Sequence, residues 1–408
     1  MFQLSHLKER RVARARLQRT CRRPVSRSKA VVGIAAVAVL FASAGCGAGS
    51  NSNGDAYQIG IIKAETGPLA GAGKAFLNGA LSAQDVINKN GMLGESKKID
   101  LVEKESAEDP ARSASVASQL ASDPKILGTI CCVLSPVAGA VKPIMKAKKM
   151  PTILYGATEI GLEEPPYIIR TTTMPQPANE ALAKAIAEKT DIKTVAYNPM
   201  TDNEGMVSQK DAFKKGFDAA GVNDLGQVGT LSGQKDFNSA ATKLMQMKPD
   251  AIVVAATQAE NVGMIVALHD RGYMGQIVTG ETVVGDGVFD SNPDALANVP
   301  FPGYFLPTET TPAGEEFTAA YKKRTGSLPN NFAAQGFNAV FIMATALKKA
   351  GSDPSRASLT KALDGLESVD GTVYGTVTFE GGQMSAGAGV KIVNYTKPDG
   401  AIVPFTGF

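Results

Sequence analysis

Short apolar runs alternate with amphipathic stretches along most of the chain. Gly128-Thr-Ile-Cys-Cys-Val-Leu has the length and composition of a buried strand, and Ser135-Pro136 ends it with a capping residue followed by proline at the first helical position. Val137, Ala140, Val141, Ile144 and Met145 then recur at helical spacing, and Pro151-Thr-Ile-Leu-Tyr is a second buried run that stops at Gly156-Ala157-Thr158. Strand, helix and strand within about thirty residues make one right-handed βαβ unit. In open parallel sheets ligands sit beyond the carboxyl ends of the strands, where Ser135 and Thr158 fall. Read as a helix cap, Ser135 also places free amides and a positive dipole end there, which suits an anion such as a carboxylate.

The same alternation continues on both sides. Tyr57-Gln-Ile-Gly-Ile-Ile reads as the first strand, and a helix follows with Phe76, Ala80, Ala83 and Ile87 on one face, ending at Asn90-Gly91. Ile99-Asp-Leu-Val is the next strand, and Asp109-Pro110 opens a helix as Ser135-Pro136 does. Further on, strands are expected at 193–198, 226–231, 251–256 and 276–279, with helices at 204–220, 237–247 and 259–271 between them. Residues 312–364 return to helix, and 372–408 holds short strands broken by Gly381-Gly382. Two parallel-sheet units in tandem predict an α/β chain of two lobes, in keeping with a length too great for one core. The segment beginning Ile168-Ile-Arg lacks helical periodicity and is a candidate crossover between them.

Charge and cysteine use alter the picture at the amino terminus. Of 42 Lys/Arg and 39 Asp/Glu, ten and one lie in residues 1–29, leaving 32 basic against 38 acidic residues in the remainder. The basic balance belongs to a leader, so composition gives no support for nucleic-acid binding. Ala30 to Ala44 is an apolar run of fifteen, short of the roughly 20 residues that span a bilayer. With Arg22, Arg23, Arg27 and Lys29 before it and small residues after, it reads as a signal peptide over 1–45. Ser43-Ala44-Gly45-Cys46 resembles a bacterial lipobox, which would make Cys46 a lipidated mature terminus facing outside the cytoplasm, on a Gly/Ser/Asn-rich tether over 46–56. Cleavage after Ala42-x-Ala44 is the other reading, and Arg22-Arg23 leaves twin-arginine export open beside the general route. Cys131 and Cys132, adjacent on the buried strand, are expected as two buried thiols.

No catalytic or cofactor motif survives scrutiny. Gly71-Ala-Gly73-Lys74 lacks the Ser/Thr that a P-loop needs after Gly-Lys, and Phe76 stands where a dinucleotide fingerprint needs its third glycine. A glycine-rich loop that lets backbone approach a ligand is the expectation there. His269 is the single histidine after the leader and falls in a predicted helix, and no Cys/His/Asp cluster has metal-ligand spacing. No Gly-x-Ser-x-Gly elbow is present, and Asp286, Asp290 and Asn292 lack calcium-loop spacing. A binding protein without cofactor, rather than an enzyme, is therefore expected.

Thr66-Gly-Pro-Leu-Ala, Asn78-Gly-Ala, Ile87-Asn-x-x-Gly-x-x-Gly94, Asp109-Pro, the Ser135 helix start, Gly156-Ala-Thr158, Tyr167-x-x-Arg170-Thr, Asp236-Phe237 and Gly280-Glu281 occur in an order and spacing that is specific as a set. From Tyr57 to about Tyr395 the chain resembles the leucine/isoleucine/valine-type solute-binding proteins of ABC importers. The resemblance implies the type I periplasmic-binding fold, in which two Rossmann-like lobes joined by three crossover segments close on an amino acid. It places one lobe at 57–172 and 308–385, and the other at 173–307 and 386–408. Carried over, Ser135 and Thr158 would offer backbone amides to the ligand's α-carboxylate, while the Gly156 carbonyl, the Thr158 hydroxyl and Glu281 would hold its α-ammonium, with Ala157 in the same turn. The family's side-chain pocket is commonly aromatic, but here its positions fall on Ala72, Asp202 and Thr257, and only Phe332 remains aromatic. Asp202 would then face a polar or cationic side chain, or else solvent. The implied partners are a small-molecule ligand and permease subunits, with the protein a monomer. Capture of a small amide or urea-like solute, and a ligand-sensing receptor module, are the alternatives within the fold.

Overall fold

A computed structural model describes residues 56–407 apart from 67–69, 286, 308–310, 387–389 and 399. The leader, the tether and Cys46 lie outside the described residues. Element by element the chain runs β1 (Ala56–Lys63), α1 (Ala70–Lys89), β2 (Lys98–Glu105), α2 (Pro110–Ser122), β3 (Ile126–Cys131), α3 (Ser135–Ala147), β4 (Thr152–Leu154) and β5 (Ile168–Arg170). There follow α4 (Pro175–Lys189), β6 (Thr194–Pro199), α5 (Glu204–Ala219), β7 (Asn223–Gln227), α6 (Asn238–Gln246), β8 (Ala251–Ala255), α7 (Gln258–Asp270) and β9 (Gln276–Thr279). The carboxyl-terminal part holds α8 (Val288–Ser291), α9 (Pro293–Leu296), β10 (Phe301–Gly303), α10 (Pro312–Thr325), α11 (Asn331–Ala350), α12 (Arg356–Asp364), β11 (Ser368–Thr372), β12 (Gly375–Glu380), β13 (Gln383–Ala386), β14 (Lys391–Thr396) and β15 (Ala401–Pro404).

These strands form two main sheets. The first has the order β11-β12-β13-β5-β4-β3-β1-β2, parallel from β2 through β5 and antiparallel in the hairpins that extend it. The second, β7-β6-β8-β9, is parallel throughout, and β10-β14-β15 make a small third sheet. Phe301, Val393 and Tyr395 from the small sheet pack into the same apolar cluster as Ile252, Val254 and Leu268, which ties it to the second main sheet. The chain passes between the two parts three times, between β5 and α4, between β10 and α10, and between β13 and β14. Apolar clusters cover both faces of each main sheet, as parallel strands require.

Local chemistry explains most boundaries. Asp109 caps α2, its carboxylate accepting from the Arg112 amide at 2.7 Å, and Pro110 follows at the first helical turn as expected. Phe76, Ala80, Ala83 and Ile87 are all buried along α1. Gly71 to Lys74 form the opening turn of α1 and not a loop, and a Cβ at Gly73 would lie 1.8 Å from the Ala64 carbonyl oxygen, so glycine lets the helix start directly over β1. Glycines also bring α1 and α11 into backbone contact: a Cβ at Gly79 would lie 1.9 Å from the Ala333 carbonyl oxygen, and one at Gly336 would lie 2.1 Å from that of Phe76. That approach sets the Phe76 and Phe332 rings 5.3 Å apart above the carboxyl ends of the first sheet.

Two expectations fail locally. The strand expected at 226–231 lies at 223–227, a polar edge strand whose residues are exposed or half-buried and carry little hydrophobic signal. Cys131 and Cys132 are joined in a disulfide and are not two thiols; left-handed backbone at Cys132, with φ 80°, accompanies the link between neighbours.

Candidate functional site

The carboxyl ends of β1, β3 and β4 on one side, and of β6, β8 and β9 on the other, converge on a pocket. From the first part come Ala72 on α1, Ser135, Gly156, Thr158, and Phe332 and Gln335 on α11. The second part contributes Asn203 and Met206 at the start of α5, Gln209, Thr257 and Gln258 at the start of α7, and Glu281 and Thr282 after β9. Seven of the expected site residues therefore meet: Ala72, Ser135, Gly156, Thr158, Thr257, Glu281 and Phe332.

Ser135 does not cap α3. Leu134 holds the cap position without a side-chain bond, and the Ser135 hydroxyl instead accepts from the Thr158 amide at 3.2 Å and the Glu159 amide at 3.0 Å. The proline rule located the helix correctly, but the serine links it to the neighbouring turn. Gly156 has no room for a side chain, since a Cβ would approach the Val133 Cα to 2.8 Å and the Phe76 ring to 3.1 Å. Beneath this floor Glu108 is buried and accepts from the Val133 amide at 3.2 Å and the Leu134 amide at 2.8 Å. Burial pushes its carboxyl up to about 7, against the lowering effect of those two amides. Arg170, 1% exposed, braces the next turn by donating to the Ala157 carbonyl at 3.0 Å and the Glu159 carbonyl at 2.6 Å, and it pairs with Glu163.

Two expected residues are not in the pocket. Ala157 is fully buried among Cys132, Val137 and Leu154 behind the floor, and its carbonyl is taken by Arg170. Asp202 is exposed, and its carboxylate accepts from the Ser232 amide at 3.0 and 3.1 Å. Asn203 turns inward in its place and caps α5, accepting from the Gly205 amide at 3.0 Å and the Met206 amide at 3.3 Å. Asn203, Met206 and Gln209 were not anticipated as site residues, although an Asn just before a helix-forming run was a readable cap signal.

The opposite wall is electrostatically unusual. Glu281 is 5% exposed and stands in a single turn after β9, where it accepts from the Asn331 carboxamide and, at 3.5 Å, from that of Gln335. The Tyr374 hydroxyl donates to the Asn331 side-chain oxygen at 3.0 Å and fixes that carboxamide. The hydrogen bonds of Glu281 thus come from neutral amides. Desolvation pushes its carboxyl up to about 8, with the Gln335 bond acting weakly the other way. The Thr257 hydroxyl donates to Glu260 and the Gln258 carboxamide donates to the Val284 carbonyl, so Thr257, at a position that is commonly aromatic in the family the chain resembles, is hydrogen-bonded and polar here. Among the described residues, no group of three or more His, Cys, Asp or Glu is arranged to hold a metal ion.

Comparison with known proteins gives a consistent result. Residues 56–398 match the periplasmic binding protein family. The Leu/Ile/Val-binding protein BraC3 of Rhizobium johnstonii is 26% identical over 328 residues, covering 79% of this chain and 86% of that protein. The branched-chain amino acid transporter substrate binding protein of Streptococcus pneumoniae, solved in complex with isoleucine, superposes with a TM-score of 0.74 at 22% identity, covering 86% of this chain and all of that one. A solute binding protein of an ABC transporter from Rhodopseudomonas palustris, solved with 3,4-dihydroxybenzoic acid, gives 0.75 at 24% identity, covering 86% of this chain and 98% of that one.

Proposed function

The chain belongs to the periplasmic binding protein family, and from that premise we propose that it captures an L-amino acid in the interlobe pocket for an ABC importer. The observation that carries the amino-acid reading is Glu281, a buried acid whose hydrogen-bond partners are carboxamides, across a pocket from a floor of serine, threonine and backbone amides. An acid held in this way is costly to ionise until a cation enters, and an α-ammonium supplies one. The α-carboxylate would take the Thr158 and Glu159 amide hydrogens that the Ser135 hydroxyl now accepts, together with the hydroxyl's own hydrogen. Lobe boundaries near 172, 307 and 386 follow the three crossings, and the Glu281 contacts with α11 are made between lobes. Closure on a ligand is thereby coupled to the contacts that each lobe makes with it.

At the side-chain end Ala72, Met206, Thr257, Gln258 and Phe332 mix apolar and polar surface, which suits aliphatic side chains and those bearing a hydroxyl. The protein is proposed to act as a monomer outside the cytoplasm, held by a lipid at Cys46 and delivering its ligand to separate permease subunits. Thermal-shift measurement against the twenty L-amino acids, urea, acetamide and 3,4-dihydroxybenzoate tests the reading, because a ligand raises the melting temperature by mass action. An amino acid should give the largest shift. A shift from the aromatic acid or from urea, with none from any amino acid, would overturn the amino-acid reading.

A further inference from the structure

Gly205 is the second residue of α5 and is buried, and its backbone is ordinary right-handed helix. Nothing about its own conformation calls for glycine, which favours helix less than alanine does. What surrounds it does: a Cβ there would lie 2.7 Å from the Ser135 hydroxyl oxygen and 2.7 Å from the Thr158 hydroxyl oxygen, both on the opposite side of the pocket. Those hydroxyls cannot simply swing away. Ser135 holds two amides of the 158–159 turn, and the Thr158 hydroxyl accepts from the Gln209 carboxamide at 3.4 Å. By contrast Gly139, on the exposed side of α3, would meet nothing within 4 Å if it carried a side chain.

We propose that Gly205 is a positioning residue for closure: its missing side chain lets the first turn of α5 seat on the Ser135 and Thr158 hydroxyls, so that the ligand is enclosed at that end from both lobes. The inference rests on the two-lobe capture reading, and it adds which residue limits how far the lobes approach. A side chain at 205 holds the lobes apart in proportion to its size. Within the second lobe itself the added Cβ meets the Asn203 side-chain oxygen at 3.2 Å, a contact a small shift relieves, while a helix glycine is replaced, so the fold is little affected.

The test is the series Gly205→Ala and Gly205→Leu beside the control Gly139→Ala, with L-isoleucine as probe. Calorimetry and stopped-flow dissociation should show binding weakened about tenfold by alanine and at least a hundredfold by leucine, chiefly through faster release, since overpacking grows with added volume. The ligand-free melting temperature should stay level or rise in both, and Gly139→Ala should bind as the wild type does. Equal affinity and release across the series, or a loss of ligand-free stability that tracks the loss of binding, overturns the inference. A wild type that ignores isoleucine defeats the ligand reading instead. The inference is then decided by small-angle scattering of the ligand-free proteins, where Gly205→Leu must have the larger radius of gyration and matching curves would refute it.

Discussion

The two walls of the pocket bury their acids against different partners, backbone amides on one side and side-chain carboxamides on the other. On the floor at Ser135 and Thr158, backbone amides donate to the Ser135 hydroxyl and to the Glu108 carboxyl, so those amide hydrogens are taken before a ligand arrives. On the wall at Glu281 an acid accepts from carboxamides, and burial pushes its carboxyl up to about 8 despite them. On the proposed reading the floor would set orientation, because a ligand there exchanges one set of hydrogen bonds for another. The Glu281 wall would, on the same reading, set affinity, because ionising that buried acid is costly unless a cation pairs with it.

Substitutions that break or sharpen this contrast differ in size. Glu281→Ala should have the largest effect on binding, about 3–5 kcal/mol or at least a hundredfold in Kd for L-isoleucine by calorimetry, since the ligand ammonium would be buried unpaired. Glu108→Ala acts below the other wall: it leaves the Val133 and Leu134 amides unpartnered and should lower stability by roughly 2–4 kcal/mol in urea unfolding. Ser135→Ala should weaken isoleucine binding by about fivefold and leave stability within about 1 kcal/mol, because one neutral hydroxyl is lost from an otherwise intact floor. Asp202→Ala should change affinity less than about twofold, since that carboxylate faces the 232 loop and not the pocket. A Glu281→Ala protein that binds as well as Ser135→Ala would erase the contrast.

Periodicity and proline placement made the framework legible. The helices at 204–219, 238–246 and 258–270 lie within a residue of expectation, because each carries a sustained apolar stripe or a cap. β7 was misplaced because a polar edge strand has no buried face to announce it. The pocket was partly readable, since residues after parallel strands fall at its rim whatever the loops do, and Ser135, Gly156, Thr158 and Glu281 all follow strands. Side-chain direction was not readable in the same way. Whether Asp202 or Asn203 faces inward depends on which residue caps α5, and whether Ser135 caps its helix or bonds across to 158 depends on a turn twenty-three residues away. The carboxamides of Gln258, Asn331 and Gln335 left no sequence signal, because Gln and Asn on helices are ordinarily solvated.

On the proposed reading the ligand's cation is received by a Glu281 that is protonated beforehand, and counting protons tests this most directly. With the free carboxyl near 8 and the bound one ionised, affinity should rise about tenfold per pH unit from 6 to 7 and level off above 8. Calorimetric titration of L-isoleucine at pH 7, in buffers of differing ionisation enthalpy, should show close to one proton released per ligand bound, and none from Glu281→Gln where residual binding can be followed. Tight binding by the wild type with no proton released would contradict the account.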